Sequence, residues 1–238
     1  MRLDKYLADS GIGTRSDVKE LIRKGRITLN GETIKKSDYK IDLELDRICL
    51  DSVPVLYQKY AYYMLNKPAG VVSATNDNVN STVIELLKNE NRKNLFPVGR
   101  LDKDTTGLLL ITDDGDFAHK ILSPRKHISK TYLAQLDGEL NESDRCRLEQ
   151  GIDIGDDKIT LPAVLKHEVN ESNLIRITIM EGRYHQVKRM FQAVDRCVLT
   201  LKRVQIGDLK LDESLAEGSY RPLTREEIAL CFERPSAL

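Results

Sequence analysis

The residues with the clearest capacity for chemistry lie in one short stretch, residues 99–112. A carboxylate, Asp102, stands there between the cations Arg100 and Lys103. The apolar run at 108–111 predicts a buried strand, because it is short and bounded by turn residues. Asp102 is therefore predicted on an irregular loop anchored to a core strand, where a rigid scaffold often presents working residues. Such a carboxylate can act as a nucleophile; the alternative is a surface aspartate in a salt-bridged loop.

A second stretch, residues 181–191, combines cations with an amphipathic pattern. Its apolar stripe consists of Val187, Met190, Phe191 and Val194. This spacing predicts a helix that packs the stripe on a core. At about 100° per residue, Lys188 falls on the flank of the stripe and can reach the wall of a cleft, whereas Arg189 points outward, toward phosphate or solvent. The alternative is a cationic amphipathic helix with no role in a site.

Two strand patterns and a turn hold further candidates. Residues 130–136 are strand-like in composition and include Tyr132, for which the alternative is an ordinary half-buried aromatic. Residues 199–207 form another strand pattern, in which Leu201 could be ordinary core. In residues 66–70, proline and glycine predict a turn.

In chain order, these stretches resemble the motifs of one enzyme family. The matching segments are Lys67-Pro68-Ala69-Gly70, Gly99-Arg100-Leu101-Asp102, Thr105-Thr106-Gly107-Leu108, Lys130-Thr131-Tyr132 and Glu181-Gly182-Arg183-Tyr184-His185-Gln186-Val187-Lys188-Arg189-Met190-Phe191. Together they resemble the RNA pseudouridine synthases. Lysine at position 188, where many relatives have arginine, resembles the branch that acts on small-subunit ribosomal RNA.

The resemblance implies a role for each matched position. Asp102 is the implied catalytic carboxylate, and Lys188 is implied to pair with it. Tyr132 is implied to stack on the target base and to assist proton transfer, and Leu201 to pack under the uracil. The implied candidates for holding flanking phosphates are Arg100, Arg183 and Arg189.

The implied reaction isomerises uridine to pseudouridine. The glycosidic bond breaks, the base turns, and a carbon of the base bonds to the sugar. Nothing is oxidised, so neither a nucleotide cofactor nor a metal is expected. Whether Asp102 attacks the sugar carbon or removes a sugar proton stays open, and in either case Lys188 would favour the ionised carboxylate.

The first fifty residues follow a pattern of their own. Thr14 is predicted to cap a second helix, and Asn30-Gly31 predicts a hairpin turn. The motifs at 2–7, 14–16 and 27–31 resemble the RNA-binding domain found in ribosomal protein S4. That resemblance implies recognition of structured RNA through shape and backbone.

Charge supports this interpretation locally. Residues 1–36 contain nine Lys or Arg against five Asp or Glu, which suits RNA phosphates, although a solvated helix face is the alternative. The candidate RNA-binding residues are Arg2, Lys5, Arg15, Lys19, Arg23 and Arg26.

The composition as a whole excludes several classes of protein. The net charge is zero over 238 residues, so only local clusters of charge can indicate a nucleic-acid site. The four cysteines and four histidines are scattered, which argues against a metal site or a redox pair. The first residues lack an apolar signal-peptide core and no run of about eighteen apolar residues occurs, so we expect a cytoplasmic protein without a membrane span.

These observations predict a two-domain α+β enzyme. A small S4-like α/β RNA-binding domain at 1–58 precedes a catalytic domain at 59–232, built on a mixed, mostly antiparallel sheet flanked by helices, and a tail at 233–238. The predicted substrate is one uridine of 16S rRNA, free or in a small-subunit assembly intermediate, and the predicted state is a monomer. Three alternatives remain: a relative acting on 23S rRNA, a non-catalytic assembly factor, and a glycosidase using Asp102 and Asp104.

Overall fold

The chain forms two compact units. The computed structural model describes residues 1–233 except 56, 58, 89, 91, 93, 169 and 170, with 168 and 171 described by their backbone alone. The first unit contains Met1–Ala61 and Lys88–Asn94, and the second contains Tyr62–Leu87 and Leu95–Leu238. Of the predicted tail, only Glu233 belongs to the described residues. Within this described part, every helix is too short or too polar to traverse a lipid bilayer.

In the first unit, two helices share a core with a small antiparallel sheet. Its elements are α1 (Leu3–Asp9), α2 (Arg15–Arg23), β1 (Ile27–Leu29), β2 (Glu32–Thr33), β3 (Ile48–Leu50) and β4 (Val53–Pro54). The strand order is β2-β1-β3-β4. Leu3, Val18 and Ile27 bring α1, α2 and β1 into one buried cluster.

Two local signals account for the path of this unit. The Thr14 side chain accepts a hydrogen bond from the backbone of Asp17, whose carboxylate accepts one from Thr14 in return, so the predicted cap of α2 is confirmed. Asn30 and Gly31 have φ values of 52° and 91°, the left-handed pair that a tight hairpin requires. The predicted turn between β1 and β2 is therefore confirmed as well.

The second unit is built on one large sheet. Its strands are β5 (Tyr62–Lys67), β6 (Phe96–Pro97), β7 (Thr106–Thr112), β8 (Lys130–Leu136), β9 (Val164–Glu168), β10 (Glu171–Ile179), β11 (Val198–Ile206), β12 (Leu209–Lys210) and β13 (Tyr220–Pro222). The order is β13-β5-β7-β11-β8-β10-β9, with β6 and β12 paired to β7 and β11. Only β7 and β11 run parallel among the described strand pairs, so the predicted mixed, mostly antiparallel sheet is confirmed.

Helices flank this sheet, as predicted. They are α3 (Gly115–Leu122), α4 (Glu142–Gln150), α5 (Gln186–Gln192) and α6 (Arg225–Leu230). The Asp114 carboxylate accepts hydrogen bonds from the first turn of α3 and thereby begins that helix. Phe117 and Ile121 of α3 then pack on Leu108 and Leu110 of β7. The strand that follows the Asp102 loop is therefore fixed in the core.

Candidate active site

Asp102 lies in the loop that leads into β7, and this loop is anchored on both sides of the carboxylate. Leu101 is buried, and its backbone N–H and C=O both bond the Ser73 hydroxyl, at 3.0 and 2.9 Å. The N–H of Thr105 donates to the carbonyl of Asp102 at 3.1 Å and closes a turn. The carboxylate is thus presented by a backbone of restricted freedom.

Lys67, at the end of β5, is hydrogen-bonded to the same loop. It is fully buried, and its ammonium donates to the carbonyls of Pro68, Lys103 and Thr105, at 3.0, 3.3 and 2.8 Å. Burial lowers the pKa of Lys67 to about 8, although the charges of Asp104 and Asp102 favour its protonated form. The sequence predicted a turn here and matched a family motif, but the role of the ammonium, which bonds both segments, was missed.

Lys188 on α5 reaches the Asp102 loop, 84 residues away along the chain. Its Nζ lies 3.3 Å from Asp102 Oδ2 and 2.6 Å from Asp104 Oδ1. Burial opposes protonation of this ammonium, but the hydrogen bond to Asp104 and the charges of both carboxylates raise the pKa of Lys188 overall. The same hydrogen bond lowers the pKa of the Asp104 carboxyl. The Lys188 ammonium therefore forms ion pairs with both carboxylates.

The two carboxylates differ in their surroundings. The side chain of Asp102 is 26% exposed, whereas that of Asp104 is 74% exposed. Asp104 is therefore mostly solvated, and Asp102 is the one held in a partly enclosed position. A partly desolvated, ionised carboxylate is the better nucleophile or base of the pair.

His185 is a further neighbour of Asp102 that sequence reasoning missed. Its Nε2 lies 3.4 Å from Asp102 Oδ1. His185 directly precedes α5 and has a left-handed φ of 48°. The four histidines were treated as scattered, and so they are along the chain. The available signal was its place in the same motif as Lys188, three residues earlier in the stretch at 181–191.

Tyr132 and Leu201 lie together on one face of the sheet. Tyr132 on β8 is opposite Arg203 of β11, and Leu201 is opposite Ala134. Arg203 is also opposite Gly107 of β7, so Tyr132 is two strands from Gly107, about 10 Å at the usual strand spacing. Tyr132 and Leu201 are buried, with 8% and 7% of their surfaces exposed.

Arg203 is a second residue whose surroundings the sequence did not reveal. It is only 3% exposed, and its Nε donates to the carbonyl of Leu108 at 2.8 Å. Its Nη2 is buried without a hydrogen-bond partner among the described residues. Burial and, secondarily, the charge of Arg203 lower the pKa of the neighbouring Lys130 to about 8.

Arg189 is oriented differently from the prediction. We expected it to point outward, but its guanidinium bonds the carboxylate of Asp156 at 2.6 Å and the carbonyls of Ile154 and Tyr184. Helical phase predicted the direction of its Cβ but could not include a loop that folds over the helix. The predicted outward orientation is therefore wrong.

Arg183 is occupied by the same loop. It bonds the carbonyls of Lys158 and Ile159 and the carboxylate of Glu181. Two of the three arginines predicted to hold phosphates, Arg183 and Arg189, thus bond protein groups in this structure. Arg100, by contrast, is exposed and makes no hydrogen bond or ion pair within the described part of the chain.

The six predicted RNA-binding residues of the first unit fall into two groups. Arg15, Lys19 and Arg23 are exposed along α2, and Lys5 is exposed on α1. Arg2 and Arg26 instead form ion pairs with the carboxylates of Asp4 and Asp51. Of the four predicted cations that form no ion pair among the described residues, three therefore lie on α2 and one, Lys5, lies on α1.

Within the described residues, no three or more His, Cys, Asp or Glu side chains cluster so that they could hold a metal ion. The site presents the carboxylate of Asp102, the ammonium of Lys188 and the imidazole of His185, and Tyr132 adds an enclosed phenol on β8. These groups can bind a polar substrate, hold charge and move protons.

Comparison with protein families gives two matches. A family described as RNA pseudouridylate synthase matches residues 61–193, which include Asp102, Tyr132 and Lys188. The S4 domain family matches residues 1–46. The S4 match lies within the first unit, and the synthase match lies in the second unit except for residues 61 and 88–94.

Individual relatives match over nearly the whole chain. An uncharacterized RNA pseudouridine synthase, YtzG, of Bacillus subtilis is 44% identical, covering 98% of this chain and 99% of its own. Ribosomal small subunit pseudouridine synthase A of Escherichia coli K12 is 44% identical, covering 96% and 99%. A crystal structure of a pseudouridylate synthase superposes with a TM-score of 0.66 at 40% identity, covering 97% and 99%.

Proposed function

The chain belongs to the RNA pseudouridine synthase family, and on that premise we propose that it isomerises one uridine of 16S ribosomal RNA to pseudouridine. One observation carries the proposal: the Lys188 ammonium lies 3.3 Å from the Asp102 carboxylate, and these are the residues of two family motifs. Relatives named ribosomal small subunit pseudouridine synthase A support the choice of RNA.

Asp102 is the proposed catalytic carboxylate. In the reaction the bond from C1′ of the ribose to N1 of the base breaks, and a bond from C1′ to C5 forms. C5 then loses its proton and N1 gains one, so atoms balance without an oxidant or a cofactor. Asp102 acts either by attacking C1′ or by removing a ribose proton, and Lys188 stabilises its ionised form by direct attraction.

Tyr132 and Leu201 are the proposed contacts of the target base. A uridine must leave its stack to reach a carboxylate, at a cost of a few kcal/mol. Stacking on an aromatic ring returns roughly 1–3 kcal/mol per base. An enclosed tyrosine beside an apolar side chain, on one face of the sheet, suits a flat base with one polar edge.

The remaining assignments concern the whole chain. We propose that residues 1–58 bind the RNA and that residues 59–232 catalyse the reaction, in a cytoplasmic monomer. Arg100 is the best placed of the proposed phosphate contacts, because its guanidinium is exposed and is not engaged by the described residues. Arg183 and Arg189 would have to exchange protein partners for phosphates.

Tritium release tests this function. The full-length protein is incubated with 16S transcripts labelled with tritium at C5 of uridine, since the reaction expels that atom. We expect release by the natural protein and a loss of at least about a thousandfold in Asp102→Asn, which removes the charge and keeps the size. Asp116→Asn, the same change at an exposed position of α3, is the matched control and should retain full activity.

The alternatives give different results in the same assay. Release from 23S but not 16S transcripts would transfer the proposal to the large subunit. Binding without any release would indicate a non-catalytic assembly factor, and free uracil would indicate a glycosidase. Undiminished release by Asp102→Asn would remove Asp102 from its proposed role.

A further inference from the structure

A pair of stacked aromatic rings stands beside the proposed catalytic carboxylate. The rings of Tyr184 and His185 are 3.8 Å apart between centroids and inclined by 18°. His185 Nε2 is 3.4 Å from Asp102 Oδ1. Tyr184 therefore stacks directly on the residue that contacts Asp102.

Tyr184 is unusually exposed for an aromatic residue. Three quarters of its surface, 75%, is accessible, against 43% for Tyr39 and 39% for Phe232, the other large exposed aromatics of the described residues. His185 covers one face of the ring, and the exposure shows that much of the remainder is open. A flat apolar surface is thus presented next to the site without a protein side chain covering it.

The backbone beneath the pair is held in place. The carbonyl of Tyr184 accepts a hydrogen bond from Arg189 at 3.1 Å. The N–H of Arg183 donates to the side chain of Gln186 at 2.9 Å, and Gln186 is buried. The stacked rings of Tyr184 and His185 therefore form a preorganised platform, which lowers the entropy lost when a ligand stacks on it.

We propose that Tyr184, supported by His185, is the stacking site for the RNA base adjacent to the uridine that meets Asp102. This inference rests on the proposed function. Every nucleobase has an aromatic face, and aromatic side chains bind unpaired bases without reading their identity. The expected ligand is thus an unstacked purine or pyrimidine of single-stranded RNA, one nucleotide from the target.

The target base itself suits this platform less well. Enzymes that act on an extruded base hold it in a close-fitting pocket, and Tyr132, with 8% of its surface exposed, lies in an enclosed position. Tyr184 can cover one face of a base only. The two tyrosines therefore contact different bases: Tyr132 contacts the extruded uracil, and Tyr184 stacks on the neighbouring base.

Two substitutions separate stacking from other roles. Tyr184→Leu removes the ring at similar bulk, and Tyr184→Phe is the matched control that keeps it. With a tritiated 16S transcript we expect about a tenfold rise in KM for the leucine variant, with kcat within about twofold, and a natural KM for the phenylalanine variant. A leucine variant with an unchanged KM would overturn the inference.

A modified substrate identifies the base. In a short 16S-derived RNA centred on the uridine that the enzyme modifies, each flanking nucleotide is replaced in turn by an abasic residue. We expect one of these RNAs to raise KM about tenfold for the natural protein and to leave that of Tyr184→Leu unchanged, since the same contact is already lost. Equal effects on both proteins at both flanking positions would overturn the inference.

The outcomes for the two proposals can be distinguished. No tritium release by the natural protein would overturn the proposed function, and this inference with it. Release by the natural protein, combined with an unchanged Tyr184→Leu variant, would overturn the stacking site alone.

Discussion

Lys188 is a single ammonium held between two carboxylates. It lies closer to the exposed Asp104 than to the partly enclosed Asp102, at 2.6 against 3.3 Å. A lysine is a point charge on a flexible stem, so it can be positioned by one carboxylate and act on the other. Asp104 thus holds Lys188 in reach of Asp102 while most of its own surface stays in water.

Lys67 shows how a buried charge can position a loop. Its ammonium bonds three backbone carbonyls and no carboxylate within the described residues, and burial lowers its pKa to about 8. Replacing it leaves those carbonyls without their donor, at a cost of roughly 1–3 kcal/mol for a buried unsatisfied group. Lys67→Met should therefore loosen the Asp102 loop even though it removes an unfavourably buried charge.

The pH dependence of stability tests this account. The pKa of Lys67 is lower in the folded protein, so between pH 8 and 10.5 the unfolded chain binds more protons and stability rises with pH. From pH 7.5 to 9.5 the unfolding free energy of the natural protein should rise relative to Lys67→Met by about 1–2 kcal/mol. Urea titrations at both pH values measure this difference. A constant or falling difference would contradict a lowered pKa.

At the scale of elements, the parallel pair β7–β11 joins the parts of the site. The Asp102 loop enters β7, Leu201 and Arg203 lie on β11, and Tyr132 follows on β8. The close approach of β7 to β11 depends on Gly107, whose φ is 96°. A Cβ at this position would lie 2.2 Å from the carbonyl oxygen of Arg203. This is a backbone atom, so it cannot move away without shifting the strand.

Gly107→Ala should therefore be strongly destabilising. Strain at a left-handed φ costs of order 1–3 kcal/mol, and the clash adds to it, so we expect a loss of at least about 2 kcal/mol in urea unfolding. Gly115→Ala is the matched control, because nothing lies within 4 Å of a Cβ there and the residue begins a helix. Similar unfolding free energies for the two variants would contradict the predicted close approach.

Helix α5 and the residue before it bring several functions to one place. Its buried stripe fixes the helix on the core, Lys188 reaches the carboxylates, and Arg189 holds the loop that contains Asp156. His185 enters the helix with its ring at Asp102. One short amphipathic element thus determines the positions of a cation, an imidazole and the proposed stacking ring.

At the scale of the whole molecule, a zero net charge conceals an uneven distribution. The exposed residues Arg15, Lys19 and Arg23 follow one another along α2 of the first unit. RNA binding through such cations releases counterions and therefore weakens as salt rises. We infer that the first unit supplies affinity, while the second supplies the chemistry.

Charge reversal on α2 tests this division. Arg15→Glu with Lys19→Glu should weaken binding of a 16S transcript and reduce the slope of log K against log salt by about one or two, with an unchanged kcat at saturating RNA. Lys120→Glu, on an exposed position of α3, is the control for the change of charge. Unchanged affinity and slope would exclude α2 from the RNA contact.

The sequence by itself determined the elements and the candidate chemistry. Strand-like composition predicted β8 at 130–136. Helical periodicity predicted the helix that contains Lys188, because it decides which face of a helix is apolar. The capping box at Thr14 and the hairpin at Asn30-Gly31 were likewise local, since each depends on neighbouring residues alone. The identity of Asp102 as the central carboxylate came from its motif.

Only the tertiary structure decided which side chains meet. Lys188 and Asp104 are 84 residues apart, and Lys67 reaches a carbonyl 38 residues away. The loop that contains Asp156 turns Arg189 back onto the protein, and His185 meets a carboxylate that no local pattern connects with it. A sequence pattern specifies the direction of a side chain from its own element. Its partner depends on how distant elements pack, and that was decided by the sheet order and by the close approach of β7 to β11.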